Sequence, residues 1–402
     1  MTKTEKIQYQ LAFASLMVFA IGIFTSVSLS AVGHILLISP GLYFTYKKAK
    51  SSNYEKSFWF LAMLALVIIA SVLFNLDIIE RPLKNMSKAK YFIFGLLGFF
   101  AYRETFKNYI TEKHKKILLA TFIISTTLAS LSGIIALYSG FNILKWKEAC
   151  HATRACGVYG MYMTYGYGIS LFCILLTGLF LKRKQLSSLV STPLLSIGLV
   201  VNLAGLYLSY ARGGLIGYLF ALPFFFLKDH KKVFLSVMLI SVVGLGGLIS
   251  LNPTINDMFL KRAGSNTQRL EFFEAAYMAF KERPLLGYGY RNFEPHVKDI
   301  KERYGIGSPY MGGHAHNNYL EHLASTGVVG VIVMLLFLFY WLKEMYQGND
   351  VWSRTIFTFI VSFLISGLFQ YTFGDGENLF LIMGLYSLSL CLKDSERNKA
   401  VA

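Results

Sequence analysis

The densest run of reactive side chains is Gly312-Gly313-His314-Ala315-His316-Asn317-Asn318-Tyr319-Leu320-Glu321. Two imidazoles stand just ahead of Asn318 and Glu321, whose spacing fits a helix-capping box, so a helix starts here. The N-terminus of a helix is electropositive and disfavours an imidazolium. A neutral imidazole accepts a proton, which is the task of a general base. Two other readings fit the same residues. The polar residues of this run can simply cap a helix at a membrane interface. His-x-His can also supply two metal ligands, but no third or fourth ligand lies nearby in the sequence.

Arginine supplies the complementary chemistry. Arg212, in Tyr210-Ala211-Arg212-Gly213-Gly214, falls between two apolar stretches. A cation at such a boundary is costly and marks function by default. Its fork can take two bonds to a phosphate, and the glycines let backbone approach closely. The bland alternative is an arginine snorkelling to headgroups. Arg269, in Asn266-Thr267-Gln268-Arg269, is expected at the start of a loop helix, where the helix end and the guanidinium both favour anions. Asp375-Gly376-Glu377 offers two acids. They suit either a divalent ion or an arginine partner, and the lack of another acidic cluster favours the arginine. Two arginines and a base on one face suit a reaction on a lipid diphosphate. That leaving group needs cations for its developing charge, and the attacking hydroxyl needs a base.

These residues must be positioned by a very apolar chain. Of 402 residues 54% are apolar and 15% charged, where soluble domains carry about 25% charged residues. Mean hydropathy is +0.49. Such a chain satisfies its backbone as helices in lipid, so the expected fold is an all-α polytopic membrane protein. The net charge of +17 sits in short runs between apolar spans, such as Lys182-Arg183-Lys184. That is a topology signal and excludes a basic nucleic-acid-binding domain.

About twelve spans are expected, near 9–26, 28–46, 57–76, 90–102, 116–139, 158–181, 189–209, 213–228, 231–251, 319–343, 353–371 and 377–392. The first resembles a signal peptide, with Lys3 and Lys6 ahead of it. Apolar sequence continues past Ser30-Ala31, so an uncleaved span is expected. With twelve spans both termini share a side. That side collects 22 of the 39 basic residues, the opposite short loops 8, and the long loop 9. Basic excess marks the cytoplasm, so both termini are expected there. The chain divides into nine spans (1–251), a polar outer loop (252–317), and three spans with a short tail (318–402).

Within the loop, a run Lys261-Arg262-Ala263-Gly264-Ser265-Asn266-Thr267 precedes an amphipathic helix over 268–282. Its apolar positions are Leu270, Phe273, Tyr277 and Phe280, with Thr267 as an imperfect cap and Pro284 as the stop. A second short helix is expected over 292–303. Cys150 and Cys156 share an outer loop in an oxidising compartment, so a disulfide and two separate thiols are both open. Cys173 and Cys391 read as packing residues within spans.

Three segments together resemble the O-antigen ligase and polymerase superfamily, and within it the O-antigen ligase (WaaL type). They are Leu208-Ser209-Tyr210-Ala211-Arg212-Gly213-Gly214; Gln268-Arg269-Leu270-Glu271 through Phe280, Pro284, Gly287, Tyr288 and Gly289; and His314-Ala315-His316-Asn317 with Leu320-Glu321 and Gly327-Val328-Val329-Gly330. They cover roughly a third of the chain. The resemblance implies a glycosyltransferase C-like fold and a glycan donor on undecaprenyl diphosphate. It also implies a lipid A–core acceptor, inversion at the anomeric carbon, and no metal or other cofactor. It places the essential residues at Arg212, Arg269 and the His314/His316 pair, with His316 preferred. Asn317 and Glu321 are expected in supporting places; Asp375 is also counted as supporting, although the Asp375/Glu377 pair lies outside the family motif and takes no defined role. The loop then reads as a lid over a diphosphate at the periplasmic face of the bacterial inner membrane, surrounded by membrane lipids.

Three rivals remain. An O-antigen polymerase shares the donor but takes a second lipid-linked glycan as acceptor. A protein O-oligosaccharyltransferase often carries an extra soluble domain after the last span, where this sequence ends about ten residues beyond it. A transporter of lipid-linked glycans predicts matching discontinuous helices in two related halves, and no such symmetry is seen in the sequence.

Overall fold

The computed structural model describes residues 2–48, 54–260, 263–308 and 310–401, without the side chains of 254, 255, 258, 263, 265 and 393–401. Lys50, Lys261 and Arg262, and the side chains of Lys393, Arg397 and Lys399, therefore lie outside the described residues.

The chain is a succession of helices: α1 (Lys3–Gly22), α2 (Val27–Lys48), α3 (Lys56–Leu73), α4 (Pro82–Met86), α5 (Lys90–Asn108), α6 (Glu112–Ser139), α7 (Tyr162–Leu181), α8 (Thr192–Ser209), α9 (Arg212–Ala221), α10 (Lys231–Leu251), α11 (Pro253–Phe259), α12 (Ala263–Glu282), α13 (Phe293–Tyr304), α14 (Asn318–Gln347), α15 (Val351–Ser366) and α16 (Gly376–Val401). A helix stands at each of the twelve expected span positions. Among the described residues seven are long and apolar enough to cross a membrane: α2, α3, α6, α7, α8, α10 and α14. Shorter apolar helices occur at Arg212–Phe226, Val351–Ser366 and Gly376–Leu392. The protein is a multi-pass, mainly α-helical membrane protein. One departure from the all-α expectation is a two-stranded antiparallel hairpin, β1 (Phe141–Asn142) and β2 (Lys147–Glu148).

Burial separates hub from rim. The apolar window of α7 is 83% buried, that of α10 only 6%. Helix α7 packs against α8, α9, α15 and α16, whereas Gly244, Gly246 and Gly247 of α10 would meet nothing on gaining a Cβ. Apolar surface left bare in this way is solvated by lipid rather than by protein.

Between α10 and α14 the chain builds its own small core from Phe272, Ala275, Ala276 and Ala279 of α12, Phe293, Val297 and Ile300 of α13, and Ala315 and Ala324. This corrects the expected face of the loop helix. Leu270 and Tyr277 point outward, 65% and 46% exposed, while the buried stripe is Phe272 with three alanines. Both stripes have helical spacing. The small residues win the inward position because α12 packs directly on α14 and α13, where alanine permits close approach. Helix α12 also begins at Ala263, so Thr267 is interior rather than a cap and Arg269 lies in the second turn.

Candidate functional site

Helix α8 ends at Ser209 with Tyr210 in the left-handed region (φ +51°), and this turn aims Arg212 at the head of α9. The glycines beside it are required by contact. A Cβ on Gly213 would stand 2.1 Å from the Tyr167 hydroxyl, and one on Gly214 2.9 Å from the Gly166 carbonyl. The head of α9 is thus seated directly on α7. Arg212 donates to the Phe259 carbonyl (3.5 Å) and to Asn266 Oδ1 (3.2 Å). Both acceptors are neutral, so its charge is left for a ligand.

Arg212, Arg269 and His316 line one cleft of about 180 Å³. A third cation joins them. Arg154, from the loop between β2 and α7, lines the same cleft, with its guanidinium 4.2 Å above the Tyr162 ring. Sequence reading counted Arg154 only as a loop charge. Its recruitment depends on a fold contact, Ala155 N–H to the Leu208 carbonyl (2.9 Å), and on a disulfide. Cys150 and Cys156 are bonded, with Cα atoms 6.4 Å apart, so of the two open readings the structure takes the first. Among the described residues no carboxylate lines this cleft, and Arg269 has no hydrogen-bond partner. Three guanidiniums without a carboxylate form an anion site, a donor set unsuited to a divalent cation.

The histidine segment is fixed by the chain that follows α15. Asn318 N–H donates to the Gly367 carbonyl (2.7 Å), Asn317 Nδ2 to the Leu368 carbonyl (3.1 Å), and Asn318 Nδ2 to Thr372 Oγ1 (2.9 Å). The expected capping box is corrected here. The cap is Asn317, whose Oδ1 accepts from Tyr319 and Leu320 N–H (2.9 and 3.0 Å). Asn318 instead holds Thr372 and Phe373. Glu321 accepts from Ala315 N–H (2.7 Å), bracing the turn between the two histidines.

The two histidines carry different hydrogen bonds. His314 Nδ1 accepts the His316 backbone N–H (3.1 Å), so the neutral ring holds its proton on Nε2 and that lone pair is already used. His316 Nδ1 lies 2.8 Å from Gln370 Oε1. An amide oxygen only accepts, so Nδ1 carries the proton and Nε2 keeps a free lone pair. Gln370 is a second residue that sequence reading missed; it is buried at 3% exposure. His316 is held at φ +47°, in the left-handed region. A non-glycine costs of order 1 kcal/mol or more there, and such strain clusters at functional sites. Burial, then His316 and neighbouring arginines, push the His314 imidazole down to about 3. Burial also lowers His316, with Arg269 adding to it and the Gln370 bond opposing. Both rings are neutral at ordinary pH.

Asp375 is not part of this cleft. It is buried, accepts from Asn378 Nδ2 (3.2 Å), and is pushed up to about 7 by burial and then by Glu377. The expected arginine pairing is not formed among the described residues. Arg291, the neighbouring cation, donates to the Gly374 carbonyl (2.7 Å) instead.

Residues 197–335 match the family described as O-antigen ligase. The matched segment contains Arg212, Arg269, His314, His316, Asn317 and Glu321, and leaves Arg154, Gln370 and Asp375 outside. The chain is also 26% identical over 399 residues to an uncharacterized protein of Haemophilus influenzae, across 92% of this chain and 93% of that one. The family match bears out the resemblance read from the three segments and supports a glycan-transferring membrane enzyme.

Proposed function

For a multi-pass membrane protein whose residues 197–335 match the O-antigen ligase family, we propose that the chain transfers a glycan from undecaprenyl diphosphate to a sugar hydroxyl of lipid A–core. The observation that carries this reading is the cleft itself, with three arginines, no carboxylate among the described residues, and one imidazole whose Nε2 is free to accept a proton.

Arg154, Arg212 and Arg269 hold the diphosphate of the donor. His316 Nε2 takes the proton of the acceptor hydroxyl as its oxygen attacks the anomeric carbon. The bond from oxygen to that carbon forms on the face opposite the diphosphate, so the centre inverts. The bond from the carbon to the phosphate oxygen breaks, and its electron pair stays on the diphosphate between the arginines. Gln370 fixes the tautomer of His316, and the Asn317 cap with the Glu321 brace fixes its place. Charge on the diphosphate rises as the bond breaks, so fixed cations act more strongly on the transition state than on the bound donor. No metal or other cofactor takes part. In this reading both termini lie in the cytoplasm and the cleft faces the periplasm from the inner membrane, an orientation supported by the excess of basic residues on the side of the termini.

The test is transfer in liposomes with purified protein, a lipid-linked glycan donor, and either lipid A–core or a second lipid-linked glycan as acceptor. The expected result is capped lipid A–core, formed equally well in EDTA, with Arg212→Ala and Arg269→Ala each lowering kcat by about 10²–10³-fold. Transfer only to the second lipid-linked glycan makes the enzyme a polymerase. Loss of transfer in EDTA removes the metal-free mechanism.

A further inference from the structure

Behind Arg154 lies a second cleft, of about 200 Å³, under the β1/β2 hairpin. Its walls carry Lys145, Lys147 and Arg154, with Glu148 as the carboxylate among its lining residues. None of the three cations forms a salt bridge among the described residues. Lys145 is exposed at its surface, yet partial desolvation at the cleft wall and the charge of Lys147 push its ammonium below its ordinary value, with Glu377 acting in the opposite sense. The cleft is held rigidly. Buried Asn142 accepts from Ser132 Oγ (2.8 Å) and Lys145 N–H (3.0 Å), and donates to the Gly157 carbonyl (2.8 Å). The Cys150–Cys156 disulfide closes the opposite side. Trp146, between the two lysines, sits at φ +52°, the same strained region that holds Tyr210 and His316 beside the first cleft. A hairpin kept in strain with two unpaired lysines points to ligand binding rather than to fold stability.

Arg154 lines both clefts, so a ligand in the second lies one guanidinium away from the diphosphate. The donor is anchored in the first cleft by its diphosphate. The other substrate still has to bring one hydroxyl to His316 Nε2. We propose that the Lys145/Lys147/Arg154 cleft binds an anionic group, phosphate or carboxylate, carried by the acceptor close to its reacting hydroxyl. The inference rests on the transferase reading above and adds that the acceptor is recognised by charge. An acceptor whose charge lies only at the far end of a long glycan does not fit, because the shared wall brings the two sites together.

The test compares wild type with a Lys145→Gln/Lys147→Gln double variant. Each is assayed with a phosphorylated glycolipid acceptor and with the same acceptor after phosphatase treatment. Both lysines are exposed, and unchanged donor KM reports an intact fold. The expected result is an acceptor KM about tenfold lower for the phosphorylated form in wild type, as for a charge-assisted contact, with that preference abolished in the variant. A wild type indifferent to the acceptor phosphate, or a variant that keeps the preference, overturns the inference and leaves the transferase reading standing. A variant that loses donor affinity instead assigns the anion to the donor and also overturns it. A wild type that transfers to neither acceptor overturns the transferase reading, and the acceptor site with it.

Discussion

At the scale of single residues, the account turns on which imidazole nitrogen is free. His314 spends its Nδ1 lone pair on the His316 backbone, while His316 gives its Nδ1 proton to Gln370 and keeps Nε2 open. A base works only when unprotonated, and burial lowers the His316 pKa. Activity should therefore persist as pH falls and be lost only below 6.5, the ordinary histidine value. Gln370→Glu puts a carboxylate on Nδ1, stabilises the imidazolium, and should move the acid limb of kcat/KM to higher pH. A pH–rate profile checks this, and a limb that does not move contradicts the assigned tautomer. Arg212, His314 and His316 stand out in the sequence because each has glycine or asparagine beside it, and Arg269 because it falls at the expected start of a loop helix. Arg154 and Gln370 do not. Each is an isolated polar residue whose role comes from a contact across the fold, Arg154 over Tyr162 and Gln370 against His316. The capping box was misread by one residue because Asn317 and Asn318 can both cap, and only packing against residues 367–373 decides which does.

At the scale of elements, the cleft depends on helices held at short range. Gly213→Ala would drive a methyl into the Tyr167 hydroxyl and the Phe369 Cβ, tilting the head of α9 and moving Arg212. Misplacing a catalytic group by about 1 Å costs about 10²-fold in rate, so this variant should keep its fold and lose transfer. Helices α12 and α13 are joined by Lys301 and Glu271 (2.6 Å), with the lysine side chain fully buried and the carboxylate partly exposed. Glu271→Ala leaves a buried ammonium unpaired, which costs about 3–5 kcal/mol. Thermal unfolding should show a clear loss, and Glu271→Leu with Lys301→Met should recover most of it. Equal melting of single and double variants contradicts the role of this pair. Helix positions were legible from hydropathy, since a run of apolar residues needs little context. The inward face of α12 was not. Leu270, Phe273, Tyr277 and Phe280 form the more apolar stripe, yet Phe272 with Ala275, Ala276 and Ala279 is the stripe that fits against α14. Size decided the orientation, and hydropathy alone does not report it.

At the scale of the whole molecule, widely separated parts of the chain converge on one cleft: the disulfide loop, the head of α9, α12, and the turn before α14. Its cations are uncompensated where a diphosphate would supply the missing charge. The seven long apolar helices mark a membrane protein, and the family match over 197–335 supports the proposed glycan transfer. The central claim is that a neutral His316, rather than His314, takes the acceptor proton. Single-turnover transfer by His316→Ala and His314→Ala, each with donor binding measured separately, tests it most directly. The account predicts a loss of about 10²–10⁴-fold in rate for His316→Ala, donor affinity within twofold of wild type, and a smaller loss for His314→Ala. Wild-type transfer by the His316 variant, or a larger loss in the His314 variant, would contradict it.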